Sequence, residues 1–211
     1  MFYLRLNKLR IYSNGALLGM TEVQLMSFVT LGEADFPMLN DFYRTNDPTV
    51  KRHLVAQAVS RVVSSRVMPE IQRVKDNQLI FFGDTGYNVF VADTIPESVN
   101  WMLLAVKSNQ QMVDNATLLT QILTEQNLTK LVGTLGVLAG AASPVTVAVT
   151  TLTTLVAESV LKLCINTHDR QLGMLLTSFT RAEHYPYGKR DMQNVPDATG
   201  NMKVDYTIFG F

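Results

Sequence analysis

Cys164 and His168 stand four residues apart, with Asp169 beside the histidine. On a continuous helix that spacing puts thiol and imidazole on one face, as a nucleophile with its base or as two metal ligands. Two ligands do not complete a zinc site, and no further ligand follows nearby in sequence. Cys164 therefore reads as a small core residue that closes an apolar helix. His53, beside Lys51 and Arg52, and His184, beside Tyr185, read as surface or rim residues. The chain has no Gly-rich phosphate loop ending in Lys and Ser or Thr, no HExxH and no GxSxG. Gly133, Gly136 and Gly140 fall in an apolar stretch with no strand before it, so they form no dinucleotide fingerprint. The expectation is a non-enzymatic protein without a bound cofactor.

Calcium is the one ion the carboxylates leave open. Asp35, Asp41 and Asp47 share one acidic loop, and Asp84 and Asp93 flank a short strand, so converging loops would supply hard oxygen ligands. Nothing spaces them as a calcium loop, and a solvated loop accounts for the same residues.

Two stretches suggest a partner surface. From Arg44 to Lys75 there are seven Lys or Arg against Asp47 and Glu70. Arg61, Arg66 and Arg73 are interleaved with valines rather than with the exposed aromatics that stack on bases, so the face reads as a solvated helix surface or as a site for an acidic partner or phosphate, and not for nucleic acid. From His184 to Gly200 the chain is polar and reads as a long connection in which Tyr185 and Tyr187 flank Pro186. Their rings either form a binding surface or fold over the end of the sheets as a plug. Tyr185, Tyr187, Arg61 and Arg66 are the candidate contact residues. Asn115-Ala-Thr117 and Asn127-Leu-Thr129 match the glycosylation pattern, but inside helical stretches they read as accidental.

The elements that must carry these residues begin with two extended segments. Phe2–Tyr12 has Leu4 and Leu6 on one face and Leu9 and Ile11 on the other, a phase change at Asn7 and Lys8 that suggests a bulge or a change of cover. Glu22–Thr30 alternates likewise, and the turn around Ser13, Asn14 and Gly15 suggests that the two are adjacent antiparallel strands. Residues 32–48 read as a surface loop. Asp47-Pro48 starts a helix that ends before Pro69. Short apolar runs at 78–82, 87–93, 101–107 and 172–181 read as strands, and 202–209 as a last strand closing a sheet beside an early one.

Between the third and fourth of those runs the period changes from two to about 3.6. Met112, Ala116, Leu119 and Leu123 mark one helix, Asn127 caps a second, and Ser143-Pro144 starts a third that ends near Leu163. Residues 131–157, between Lys130 and Glu158, carry no charge over 27 positions. Pro144 divides them into halves of about 20 Å if helical, each shorter than the ~30 Å hydrocarbon layer. Gly136 and Gly140 permit close helix approach, and threonines from Thr129 to Thr154 can bond back to the preceding turn. The segment reads as a buried hairpin, as an interface with another copy or a partner, or as a membrane-inserting element. The lack of basic clusters and aromatic belts around it favours the first.

Eighteen Lys plus Arg balance eighteen Asp plus Glu, so no global field draws in nucleic acid or anionic lipid. With Cys164 as the single cysteine there is no internal disulfide, and MFYLRLNKLRIY lacks the unbroken apolar core of a secretory signal, so a cytoplasmic protein is expected. Strands, then a helical block, then strands that must pair back predict an α+β fold. The expected architecture is one domain over 1–211, an antiparallel sandwich-like body with a helical insertion at about 110–165 between late strands. The function expected is a structural or protein-interaction module that self-associates, with membrane insertion of 131–157 as the alternative.

Overall fold

The computed structural model describes residues 1–107, 114–164, 170–185 and 188–211. It is an α+β fold in three layers. The outer sheet has strands β1 (Phe2–Ile11), β4 (Gln78–Phe81), β5 (Tyr87–Ala92), β8 (Gly188–Pro196) and β9 (Met202–Gly210). Its order is β4-β1-β9-β8, with β5 also paired to β1. The middle sheet, in the order β3-β2-β6-β7, holds β2 (Thr21–Thr30), β3 (Arg66–Val74), β6 (Ser98–Lys107) and β7 (Arg170–Thr180). The pairings in both sheets are antiparallel. The third layer comprises α1 (Pro37–Arg44), α2 (Pro48–Ser64), α3 (Asn115–Ile122), α4 (Glu125–Val137) and α5 (Pro144–Cys164). A one-turn helix α6 (Arg181–His184) follows β7. The expected helical insertion is α3–α5, between β6 and β7.

Two cores follow from the layering. One lies between the sheets, with Leu4, Leu25, Trp101 and Tyr206 among its members; the other lies between the middle sheet and the helices, with Phe28, Met102, Val149 and Leu152. The middle sheet is thus covered on both sides, which is why β2 and β6 are apolar at successive positions rather than only at alternate ones. Trp101 is fully buried, and its indole N–H donates to Ser27 Oγ at 2.8 Å.

The phase change in β1 is a bulge. Register with β9 shifts between Leu6 and Lys8, so Leu4, Leu6, Leu9 and Ile11 all face the sandwich interior instead of opposite sides. β9 pairs with β1, as the aromatic-rich tail predicts. The expectation that β1 and β2 are adjacent does not hold: they belong to opposite sheets, because the long connection from Tyr12 to Met20 carries the chain from one sheet to the other instead of closing a tight hairpin.

Two further expectations are corrected, and one holds. Residues 32–48 are not a plain loop but a 3-10 turn at Gly32–Asp35 followed by α1, which buries Leu39 and Phe42. Asp47 caps α2, accepting from the N–H groups of Thr49 and Val50 at 2.8 and 3.3 Å, and α2 stops at Ser64, before Pro69 as expected, with Pro69 in an edge strand. The polar run after His184 holds β8, an edge strand exposed at nearly every position.

In the insertion, Thr124 rather than Asn127 caps α4, its hydroxyl accepting from the Asn127 N–H. The hydroxyls of Thr150, Thr151, Thr153 and Thr154 all donate to carbonyls one turn earlier, which satisfies them within an apolar helix. α5 buries Val145, Ala148, Val149, Leu152, Val156 and Val160.

Candidate interaction site

The residues singled out for chemistry are dispersed. Cys164 ends α5, while His168 and Asp169 lie outside the described residues, as do Met112 and Tyr187. His53 is exposed on α2, and His184 Nδ1 faces the Thr180 N–H at 3.0 Å. Asp35 pairs with Arg61 and accepts from the Leu31 N–H, Asp41 lies in α1 and Asp47 caps α2. Among the described residues no three carboxylate, imidazole or thiol groups stand together in a way that could hold a metal ion.

Arg61 and Arg66 sit on different elements, the last turn of α2 and the start of β3. Tyr185 takes the plug position at the sandwich end. It is 2% exposed, its ring packs 4.7 Å from that of Phe2, and its hydroxyl donates to the Pro96 carbonyl at 3.1 Å. Burial, with the Glu97 carboxylate nearby, pushes its phenol up to about 12. The unfolded chain ionises this group near pH 10 while the folded one keeps its proton, so the unfolded state gains above that value. Stability is accordingly expected to fall from about pH 10 through about pH 12, and Tyr185→Phe to flatten that decline. Unfolding midpoints of the two proteins across that range check it.

The most exposed leucines lie elsewhere, in the loop from Tyr12 to Met20 between β1 and β2. Leu17 and Leu18 are 101% and 93% exposed, and Met20 is half-exposed. This loop is pinned at its base. Asn14 is 1% exposed; its side-chain amide donates to the carbonyls of Gly19 and Val74 at 3.0 and 2.8 Å, and its oxygen accepts from the Ala16 N–H. The Asn14 N–H donates to Asp76, and Lys107 Nζ donates to the Gly15 carbonyl at 3.0 Å. Gly15 and Gly19 have φ of 68° and 82°, the left-handed turns that bring the loop back on itself. An apolar tip on a hydrogen-bonded base is a preorganised projection.

At the far end of β2 the connection from α4 to α5 presents another surface, without charged residues of its own. Tyr43 Oη donates toward the carbonyls of Leu135 and Pro144, and Thr146 Oγ1 donates to Glu33 at 2.6 Å, which ties this end to the turn that follows β2. Gly133, Gly136 and Gly140 face outward, and a side chain at any of them would meet nothing within 4 Å. Val137 between them is 83% exposed. The glycines therefore do not bring two helices of this chain together, the role their spacing suggests. The ten residues of β2 separate the two surfaces by about 30 Å.

No family model, no curated protein and no solved structure matches the chain.

Proposed function

We propose that this chain is a non-enzymatic protein-interaction module that joins copies of itself head to tail. The observation that carries the reading is the pair Leu17 and Leu18, held in water by a loop whose base is fully hydrogen-bonded. Exposed apolar groups on ordered backbone mark association surfaces, and a fixed loop loses little entropy when it docks. A second copy is the occupant we propose, because the opposite end of the chain exposes an apolar, small-residue surface that suits it. That surface carries the exposed Val137 among Gly133, Gly136 and Gly140, whose missing side chains leave the backbone open to close approach by protruding leucines. Contact between unlike ends is heterologous, so it generates rings or open chains rather than an isologous pair.

The expected result is an average mass that rises with concentration in sedimentation equilibrium, and a monomer at every concentration for the Leu17→Asp, Leu18→Asp double variant. A wild-type mass that stays monomeric throughout refutes the reading.

A second reading is favoured by one observation. The helix from Pro144 to Lys162 is long and apolar enough to cross a membrane, although half of its apolar window is buried. Vesicle co-sedimentation of the wild type that persists in the Leu17→Asp, Leu18→Asp variant would replace head-to-tail docking with insertion. Within the proposal the setting is cytoplasmic and the balanced charge gives nucleic acid no purchase.

A further inference from the structure

On the outward side of the outer sheet, three breaks of register meet. β1 shifts against β5 between Leu4 and Arg5 and against β9 between Leu6 and Lys8, and β8 shifts against β9 between Met192 and Val195. The second break turns two consecutive side chains, Asn7 and Lys8, to the same outward face. Bulges re-aim side chains and bend strands, and here they form a recess of about 480 Å³ walled on one side by the turn from Gly83 to Gly86. Gly86 has φ of 80°, and a side chain there would stand 2.6 Å from Asn7 Oδ1, so glycine is what lets the wall close on the floor. The volume lies within the roughly 300–1,000 Å³ of small-molecule sites.

Two polar groups of the floor are themselves buried. Thr207 and Asp205 are 3% and 6% exposed. Asn7 Nδ2 donates to Thr207 Oγ1 at 2.9 Å, and Thr207 Oγ1 in turn donates to Asp191. Lys189 lies 2.9 Å from Asp191, and Lys8 lies 2.9 Å from Asp205, which also accepts from the Asn194 N–H. The Thr207 hydroxyl and the Lys189 ammonium hold the Asp191 carboxyl below the usual carboxylate range.

The charges decide the class of ligand. Arg5, Lys8 and Lys189 are matched by Asp84, Asp191 and Asp205 around the same recess. An anion would face three carboxylates and a cation three basic groups, whereas a neutral molecule bearing many hydroxyls meets alternating donors and acceptors already in place. The rim adds an apolar element: Phe81, across the sheet from Lys8, is 67% exposed, and Met192 beside the floor is 36% exposed. A sugar ring combines these requirements, with an apolar C–H face and a hydroxyl edge. We propose that this recess binds a neutral carbohydrate of one or two pyranose rings, its C–H face against Phe81 and its hydroxyls on Asn7, Asp191 and Gln193. The site is separate from the Leu17 loop, so it stands whether or not copies of the chain associate.

The test is titration of the isotope-labelled full chain, followed by backbone amide NMR. The probes are glucose, galactose, mannose, N-acetylglucosamine, maltose and cellobiose, with glucuronate and inorganic phosphate as anionic controls. At least one neutral sugar is expected to shift the amides of Gly86, Asp191 and Thr207 saturably in the millimolar range, and the anions are not. Phe81 is exposed, so Phe81→Ala keeps the fold, and it is expected to weaken that sugar about tenfold. No saturable shift at these amides from any neutral sugar, tighter binding of phosphate at the same amides, or unchanged affinity in Phe81→Ala each overturns the proposal.

Discussion

Val149→Asp is expected to unfold the protein, while Val137→Asp leaves the fold intact. Both residues belong to the charge-free stretch, and their sequence surroundings do not tell them apart. Val149 is 1% exposed among the side chains between the helices and the middle sheet, whereas Val137 is 83% exposed. A carboxylate at 149 loses its water with no buried cation among the described residues to pair with, which costs at least about 4 kcal/mol on top of the lost packing. That is a large share of the ~5–15 kcal/mol that holds a domain of this kind together. Urea unfolding followed by circular dichroism checks both variants. A Val149→Asp midpoint within error of the wild type refutes the packing of α5 on the middle sheet.

Trp101→Ala is the second change with a large expected effect. The indole is fully buried between the sheets, 5.3 Å edge-on from the Tyr206 ring, and it supplies the hydrogen bond to Ser27, itself buried. Removing the ring leaves a cavity worth about 3–5 kcal/mol and an unpaired hydroxyl costing about 1–3 kcal/mol more. Trp101→Phe separates the two contributions, since it fills most of the volume but cannot donate. The expected order of unfolding midpoints is wild type, Trp101→Phe, Trp101→Ala, and an alanine variant as stable as the phenylalanine one contradicts a filled sandwich core.

How far these features were legible depends on how many neighbours each element has. The helix starts at Pro48 and Pro144 and the strands that alternate or run apolar could be read from sequence, because burial imposes a period on them. Edge strands carry little such imprint. β3 contains Pro69, and β8 is exposed along most of its length, so neither differs from a loop until its partner is seen. The pairing of β1 with β9 rather than β2 was only half legible, since an alternating strand says which face is buried and not which strand lies beside it. The same limit hid the carbohydrate recess. Its residues are scattered from Arg5 to Thr207, and its one local signal was the phase change at Asn7 and Lys8, whose consequence depends on what β8 and β9 place opposite. Leu17 and Leu18 carry no such signal, because two leucines between glycines resemble core residues. Only the hydrogen bonds of Asn14 and Lys107 fix them outside.

Mixing two association-deficient variants tests head-to-tail docking most directly. The Leu17→Asp, Leu18→Asp protein keeps an intact receptor at its far end, and Val137→Asp keeps an intact loop, so each alone is expected to be monomeric. Combined in equal amounts they are expected to form a one-to-one heterodimer in sedimentation velocity, capped at both ends and unable to grow. Two variants that remain monomeric when mixed, while the wild type associates, contradict contact between unlike ends.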